Sequence, residues 1–304
     1  MKTDKFNFHQ IETKRIFVYL AIVFGVYYGL WLIAILLSDS AGNVIYSFLG
    51  FPIIFMGTPA LSVFFTRKIT GDKSSIAYDP RVWKNKKFAL VAMFVPAVLV
   101  FVGAVSFYLL FPNDLDYSGN YIIQTFGSFG APSEINFTVP SLLIMGMVVC
   151  IISAFCVPSW FIALGEDIGW QGYLLPLLCK KMTTRQAVLL IGALWGMAHA
   201  PLIYSGMNYG LNYVGAPYSG IAMMILFCMT IGIYMSFVTL KTNNCMYASI
   251  IHGAVNIIGE TPIFISLSTQ SVLLGPNPSG IIGMSVLLIG AILLLFKLPS
   301  TPSG

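Results

Sequence analysis

Apolar residues in this chain fall in long blocks separated by short polar segments. Eight blocks are long enough to be drawn as helices crossing about 30 Å of hydrocarbon. They run from Ile16 to Leu37, Val44 to Thr66, Phe88 to Pro112, Pro140 to Leu164, Gln186 to Tyr204, Gly220 to Leu240, Met246 to Phe264, and Ile281 to Phe296. In a bilayer each backbone polar group must find its partner inside its own segment, so the blocks read as helices of one bundle. The expected fold class is all-α: a polytopic membrane helix bundle of about eight transmembrane helices, multi-pass in the cell membrane.

Composition agrees with that solvent. The chain is 57% hydrophobic and 9% charged, with a mean hydropathy of +0.84, against roughly 25% charged residues in soluble domains. The formal charge of +5 forms no basic face, so it predicts no nucleic-acid partner. The Lys and Arg residues act instead as topology signals. With the N-terminus inside, Lys2, Lys5, Lys14 and Arg15, the group from Arg67 to Lys87, Lys180, Lys181, Arg185, Lys241 and Lys297 are all cytoplasmic, while the outer loops hold the acids Asp39, Asp114, Asp116 and Glu134. By the positive-inside rule both termini are cytoplasmic. The Arg67–Lys87 cluster reads as a solvated loop near anionic lipid. The five cysteines contain no C-x-x-C pair and indicate neither a disulfide framework nor a zinc site. The first apolar run is too long for a signal-peptide core and is expected to stay as an anchor.

One stretch resists a simple span. From Pro140 to Cys179 there is no Lys or Arg, and a straight helix of that length would reach about 60 Å at 1.5 Å per residue. A break is therefore expected, with Pro158 and the Gly165 region as candidates. Two full crossings would place Lys180, Lys181 and Arg185 outside. The preferred reading is one span followed by a half-inserted helix bordering a water-filled cavity.

Ionisable residues inside a bilayer cost about 2.5–3.5 kcal/mol or more at a helix centre, so those present are functional candidates. Here they are Glu166, Asp167, His199, His252 and Glu260; His9 lies in the polar N-terminal segment and reads as solvated. Glu166 precedes Lys180 by fourteen positions and His199 follows Arg185, across the turn, by fourteen, roughly 21 Å in each helix. His252 sits at comparable depth, with Asn256 one turn further on the same face. A desolvated carboxylate can serve as general base near neutral pH, and imidazole and amide donors can polarise a carbonyl and hold an oxyanion. The bland alternative is that such histidines are interhelical hydrogen-bond partners. Glu260 shares the His252 face and reads as an acid near the outer interface bonded to a helix end, with a substrate role as the alternative. Trp170, Trp195 and Tyr173 are expected to pack the cavity wall.

Three segments carry a resemblance. Glu166-Asp167-Ile168-Gly169-Trp170-Gln171 resembles the Glu-Glu-x-x-x-Arg motif of the CPBP intramembrane endopeptidases, also called CAAX proteases or the Abi family. Trp195 through His199 is similar to that family's aromatic residue four before a His, and His252 through Asn256 to its His-x-x-x-Asn. The resemblance covers roughly Pro140 to Phe264. It implies an eight-helix protease cutting peptide bonds within or beside the membrane, with Glu166 as catalytic base, His199 working with it, and His252 and Asn256 binding the oxyanion. The family was long regarded as metal-dependent; carboxylate and imidazole can ligate zinc, but the residues require no metal and no cofactor is expected. Two positions depart from the pattern: Asp167 replaces Glu and Gln171 replaces Arg. At i and i+4 they are expected to support each other through an Asp-to-Gln hydrogen bond in place of a salt bridge.

The chain is thus read as residues 1–137, the first three helices and their loops; 138–264, a catalytic core of helices four to seven; and 265–304, a loop, the last helix and a tail. The expected activity is glutamate-activated hydrolysis of a peptide or membrane-associated protein, with catalytic residues Glu166, His199, His252 and Asn256 and supporting residues Asp167, Gln171 and Trp195. A non-catalytic immunity or scaffold protein using the same cavity is the first alternative, and a small-solute transporter the second, although no inverted repeat is visible. The expected partners are a peptide or membrane-protein substrate and the lipid bilayer; the oligomeric state stays open.

Overall fold

The computed structural model describes residues 2–41, 51–126 and 134–299. The beginning of the expected second span and the side chain of His9 lie outside the described residues. No strand occurs among the described residues, and the protein is an all-α polytopic bundle. The helices used below are α1 (Lys2–Ala41), α2 (Phe51–Thr70), α3 (Lys86–Leu110), α4 (Asn120–Phe126), α5 (Val139–Phe155), α6 (Val157–Asp167), α7 (Leu175–Cys179), α8 (Thr184–Ala198), α9 (Ala200–Tyr204), α10 (Tyr218–Thr242), α11 (Met246–Ile258) and α12 (Ile281–Lys297).

Among the described residues the apolar blocks are helical, with the fourth, fifth and seventh each divided between two consecutive helical elements and the second described only from Phe51. By length and hydropathy alone five described helices can cross a membrane, and six when the bent pair at 139–179 is taken as one span. Several ends are set by local chemistry. Thr138 with Ser141 and Thr183 with Gln186 form capping boxes at the starts of α5 and α8, satisfying orphan backbone donors. Asn243 adopts the left-handed conformation that closes α10.

The break expected within 140–179 occurs at Cys156, where the chain turns by 57°. Pro158 follows in the first turn of α6, where its missing donor is not needed. Gly165 is not a break point. It lies inside α6, and a Cβ there would stand 2.5 Å from the Met56 carbonyl oxygen. Its role is close packing of α6 on α2. On the other side of α6, a Cβ at Gly253 would stand 2.8 Å from the backbone at Ser159 and Trp160. The Ser159 hydroxyl donates to the Gly253 carbonyl at 2.9 Å. Two glycines thus let α6 sit wedged between α2 and α11, the elements that surround the intramembrane carboxylates.

The two ends of the bundle differ in charge. At one end Arg15 pairs with Asp72, Lys180 with Glu12, and Arg185 donates to the Phe296 and Leu298 carbonyls. At the other, Asp114 accepts from Ser266 and Thr269, Tyr209 donates to Ser279, and Tyr108 donates to Pro262. The segregation of charge along the sequence is thus a segregation between the ends of the bundle.

Candidate active site

α6 does not continue as an α-helix past Asp167. Residues Ile168–Leu174 wind as a π-helix, in which Leu175 N–H donates to the Trp170 carbonyl five positions back. Such widened turns are rare and recur at functional sites. The consequence is a change of face. Asp167 Oδ2 accepts from His252 Nδ1 at 3.3 Å, whereas Gln171 Oε1 accepts from Ser236 Oγ at 2.9 Å. The expected hydrogen bond between Asp167 and Gln171 is therefore not formed, because four positions spanning a π turn no longer stack as they do on an α-helix. Gln171 is fully buried and braces α10, away from the carboxylates.

Glu166 and Asp167, adjacent in sequence, both approach the same imidazole. His252 Nε2 lies 4.0 Å from Glu166 Oε2 while its Nδ1 bonds Asp167. Glu166 Oε2 also accepts from the Trp195 indole N–H at 2.9 Å. Its other oxygen, Oε1, is buried and has no hydrogen-bond partner among the described residues. Trp195, expected to pack the wall, therefore does more: its indole N–H reaches the glutamate directly.

His199 stands at the end of α8, and its Nδ1 donates to the Trp195 carbonyl at 2.9 Å. That bond selects the tautomer that leaves Nε2 as the nitrogen available to the cavity. No direct bond joins Glu166 to His199 among the described residues. The Trp195 ring lies between the two histidines, 5.8 Å from His199 and 5.0 Å from His252, and Phe55 packs its ring 5.1 Å from His199. Phe55 and Ser236 went unnoticed in the sequence because each is an ordinary residue of an apolar block.

A cavity of about 240 Å³ is lined by Trp195, His199, His252 and Asn256. Asn256 is exposed into it, and its mouth lies at Asn208, Glu260 and Ser279, the acidic end of the bundle. Glu166, Asp167 and Gln171 are fully buried behind this wall. The structure therefore gathers six of the seven predicted residues, Glu166, Asp167, Trp195, His199, His252 and Asn256, and leaves Gln171 aside.

The donor set does not fit a protein-held metal. Among the described residues no three of His, Cys, Asp and Glu converge in a geometry that could hold an ion. His252 Nδ1 is committed to Asp167 and one Glu166 oxygen to Trp195, whereas a catalytic zinc needs three protein ligands.

Comparison with curated proteins returns no match. The family model described as type II CAAX prenyl endopeptidase Rce1-like matches residues 140–258, a segment that contains every residue gathered at this site. Over that segment the chain is similar to the CAAX proteases, a family of membrane-embedded endopeptidases.

Proposed function

We propose that the protein is an intramembrane endopeptidase in which Glu166 activates water to hydrolyse a bond of a peptide or membrane-associated protein. The observation that carries this reading is Glu166 Oε1, a buried carboxylate oxygen with no hydrogen-bond partner among the described residues. An unsatisfied acceptor in a bundle interior is costly and calls for a functional account. Water bonded to Oε1 would sit on the carboxylate whose other oxygen, Oε2, is 4.0 Å from Nε2 of His252, a residue that also lines the cavity.

In the proposed reaction the water oxygen bonds to the carbonyl carbon while one of its protons passes to Glu166. The oxyanion accepts from the Asn256 carboxamide and from His252 in its protonated form. The C–N bond then breaks, and the leaving nitrogen takes the proton held by Glu166, directly or through His199 Nε2. Asp167 holds the His252 ring in place and Trp195 holds the Glu166 carboxylate; both are positioning residues. No step is routed through a metal.

The test is cleavage of a peptide library by the purified protein reconstituted in lipid vesicles. Glu166→Gln should abolish cleavage while leaving thermal stability close to wild type. Turnover by a folded Glu166→Gln variant at the wild-type rate would overturn the proposal.

A further inference from the structure

Among the described residues Glu260 is the one carboxylate that lines the cavity itself. α11 ends at Ile258, and Glu260 stands at the start of the following 3-10 turn, Thr261–Ile265, with its side chain exposed. It is not bonded to a helix end as expected. It accepts from Asn277 Nδ2 at 3.5 Å and is also hydrogen-bonded by the Asn208 side chain, and the Oδ1 of the Asn277 carboxamide is buried with no hydrogen-bond partner among the described residues. Asn208 faces the same mouth.

Among the described residues no cation answers that charge. The described segments forming this end of the bundle, residues 111–126, 134–138, 205–217 and 259–280, contain no Lys or Arg. Among the described residues the other titratable groups lining the cavity are Cys228, a buried thiol, His199, bonded to Trp195, and His252, bonded to Asp167. A carboxylate at the rim of a membrane cavity without a counter-ion is costly, and a cation from a bound ligand offsets the cost. A carboxylate accepts well from an ammonium or guanidinium group.

We infer that Glu260 is a specificity-determining residue that receives a Lys or Arg side chain of the substrate peptide. The inference rests on the peptidase reading above. Glu260 lies eight positions beyond His252, about 12 Å along a helix. An extended peptide covers that distance in about three to four residues, so the selected cation stands that far from the scissile bond.

The experiment uses fluorescein-labelled twelve-residue Ala/Leu peptides carrying a single Lys, Gln or Asp at each position in turn. Their affinity is measured by anisotropy for the full chain in lipid nanodiscs, in a Glu166→Gln background so that no peptide is consumed. Lys peptides of one register should bind about tenfold tighter than their Gln counterparts, and Asp peptides weaker still. Glu260→Gln should erase the preference and Glu260→Lys should reverse it in favour of Asp. Equal affinity for the three series, or a Lys preference that survives Glu260→Gln, would overturn the inference. Because the readout is binding, its failure is distinct from failure of the Glu166 mechanism, which shows only in cleavage.

Discussion

Asp167 and His252, 85 positions apart in the chain, meet through a 3.3 Å hydrogen bond from the ring Nδ1 to the carboxylate. The bond fixes the imidazole that approaches Glu166 and lines the cavity. A hydrogen bond to a charged group contributes about 1.5–3 kcal/mol, and about 1.4 kcal/mol corresponds to a tenfold change in rate. Asp167→Asn should therefore lower kcat roughly 10- to 100-fold with little change in KM, against complete loss in Glu166→Gln. Steady-state cleavage kinetics decide it. If Asp167→Asn is as inactive as Glu166→Gln, Asp167 acts on the reacting atoms and the single-glutamate mechanism fails.

Gln171 is expected to contribute to stability through its contact with α10. Its Oε1 accepts from Ser236 while its Nε2 is buried with no partner among the described residues. Removing one member of a buried hydrogen-bonded pair costs about 1–3 kcal/mol, whereas removing both can be nearly neutral. Gln171→Leu should lower thermal stability by that order, and adding Ser236→Ala should restore most of it. Thermal melts in a single detergent test this. Additive losses in the double variant would show that the two side chains are not coupled.

The orientation in the membrane follows from the charge of the two ends. A cysteine at Ser118 or Ser279 should react with an impermeant thiol reagent applied to intact cells, and one at Ser75, in the basic loop, should not. Ser279 lies at the cavity mouth, so its labelling also assigns the side from which substrate arrives. Labelling at Ser75 from outside would invert the model.

The basic end contains a pH-sensitive tie. Burial works against ionisation of Asp72, but bonds from the Ser74 backbone and hydroxyl and from Tyr173, with the Arg15 charge, hold its carboxyl below the ordinary value of 3.8. A folded value lower than the unfolded one means that the stabilisation is fully present above the ordinary value and is lost as pH falls through the folded one. Asp72→Asn should cost about 1.5–3 kcal/mol at neutral pH, and its difference from wild type should shrink as pH falls through 4 and below. Melts from pH 3 to 7 would show this. A constant difference across that range would exclude the tie.

The proposed reaction is expected to need no metal, since among the described residues no three donors converge on one ion. Exhaustive chelation should leave cleavage unchanged, with no stoichiometric zinc by elemental analysis. Activity that tracks zinc content would make Glu166 and His252 ligands and cancel the roles given to them.

Much of this protein was legible along the chain. The apolar blocks, the one-sided Lys and Arg residues and the rarity of intramembrane acids determined an all-α bundle and pointed to Glu166, His199, His252 and Asn256. These are consequences of solvation, and solvation acts on each segment separately, so it can be read without knowing what packs against what. Three features were decided only in three dimensions. The chain breaks at Cys156 and not at Gly165, because Gly165 is occupied by close contact with Met56. The π turn after Asp167 separates it from Gln171 and gives each a partner on another helix, Asp167 with His252 and Gln171 with Ser236. Trp195 bonds Glu166 and packs between the two histidines. Each depends on the contacts that one helix makes with its neighbours, and spacing along a single helix carries no record of them.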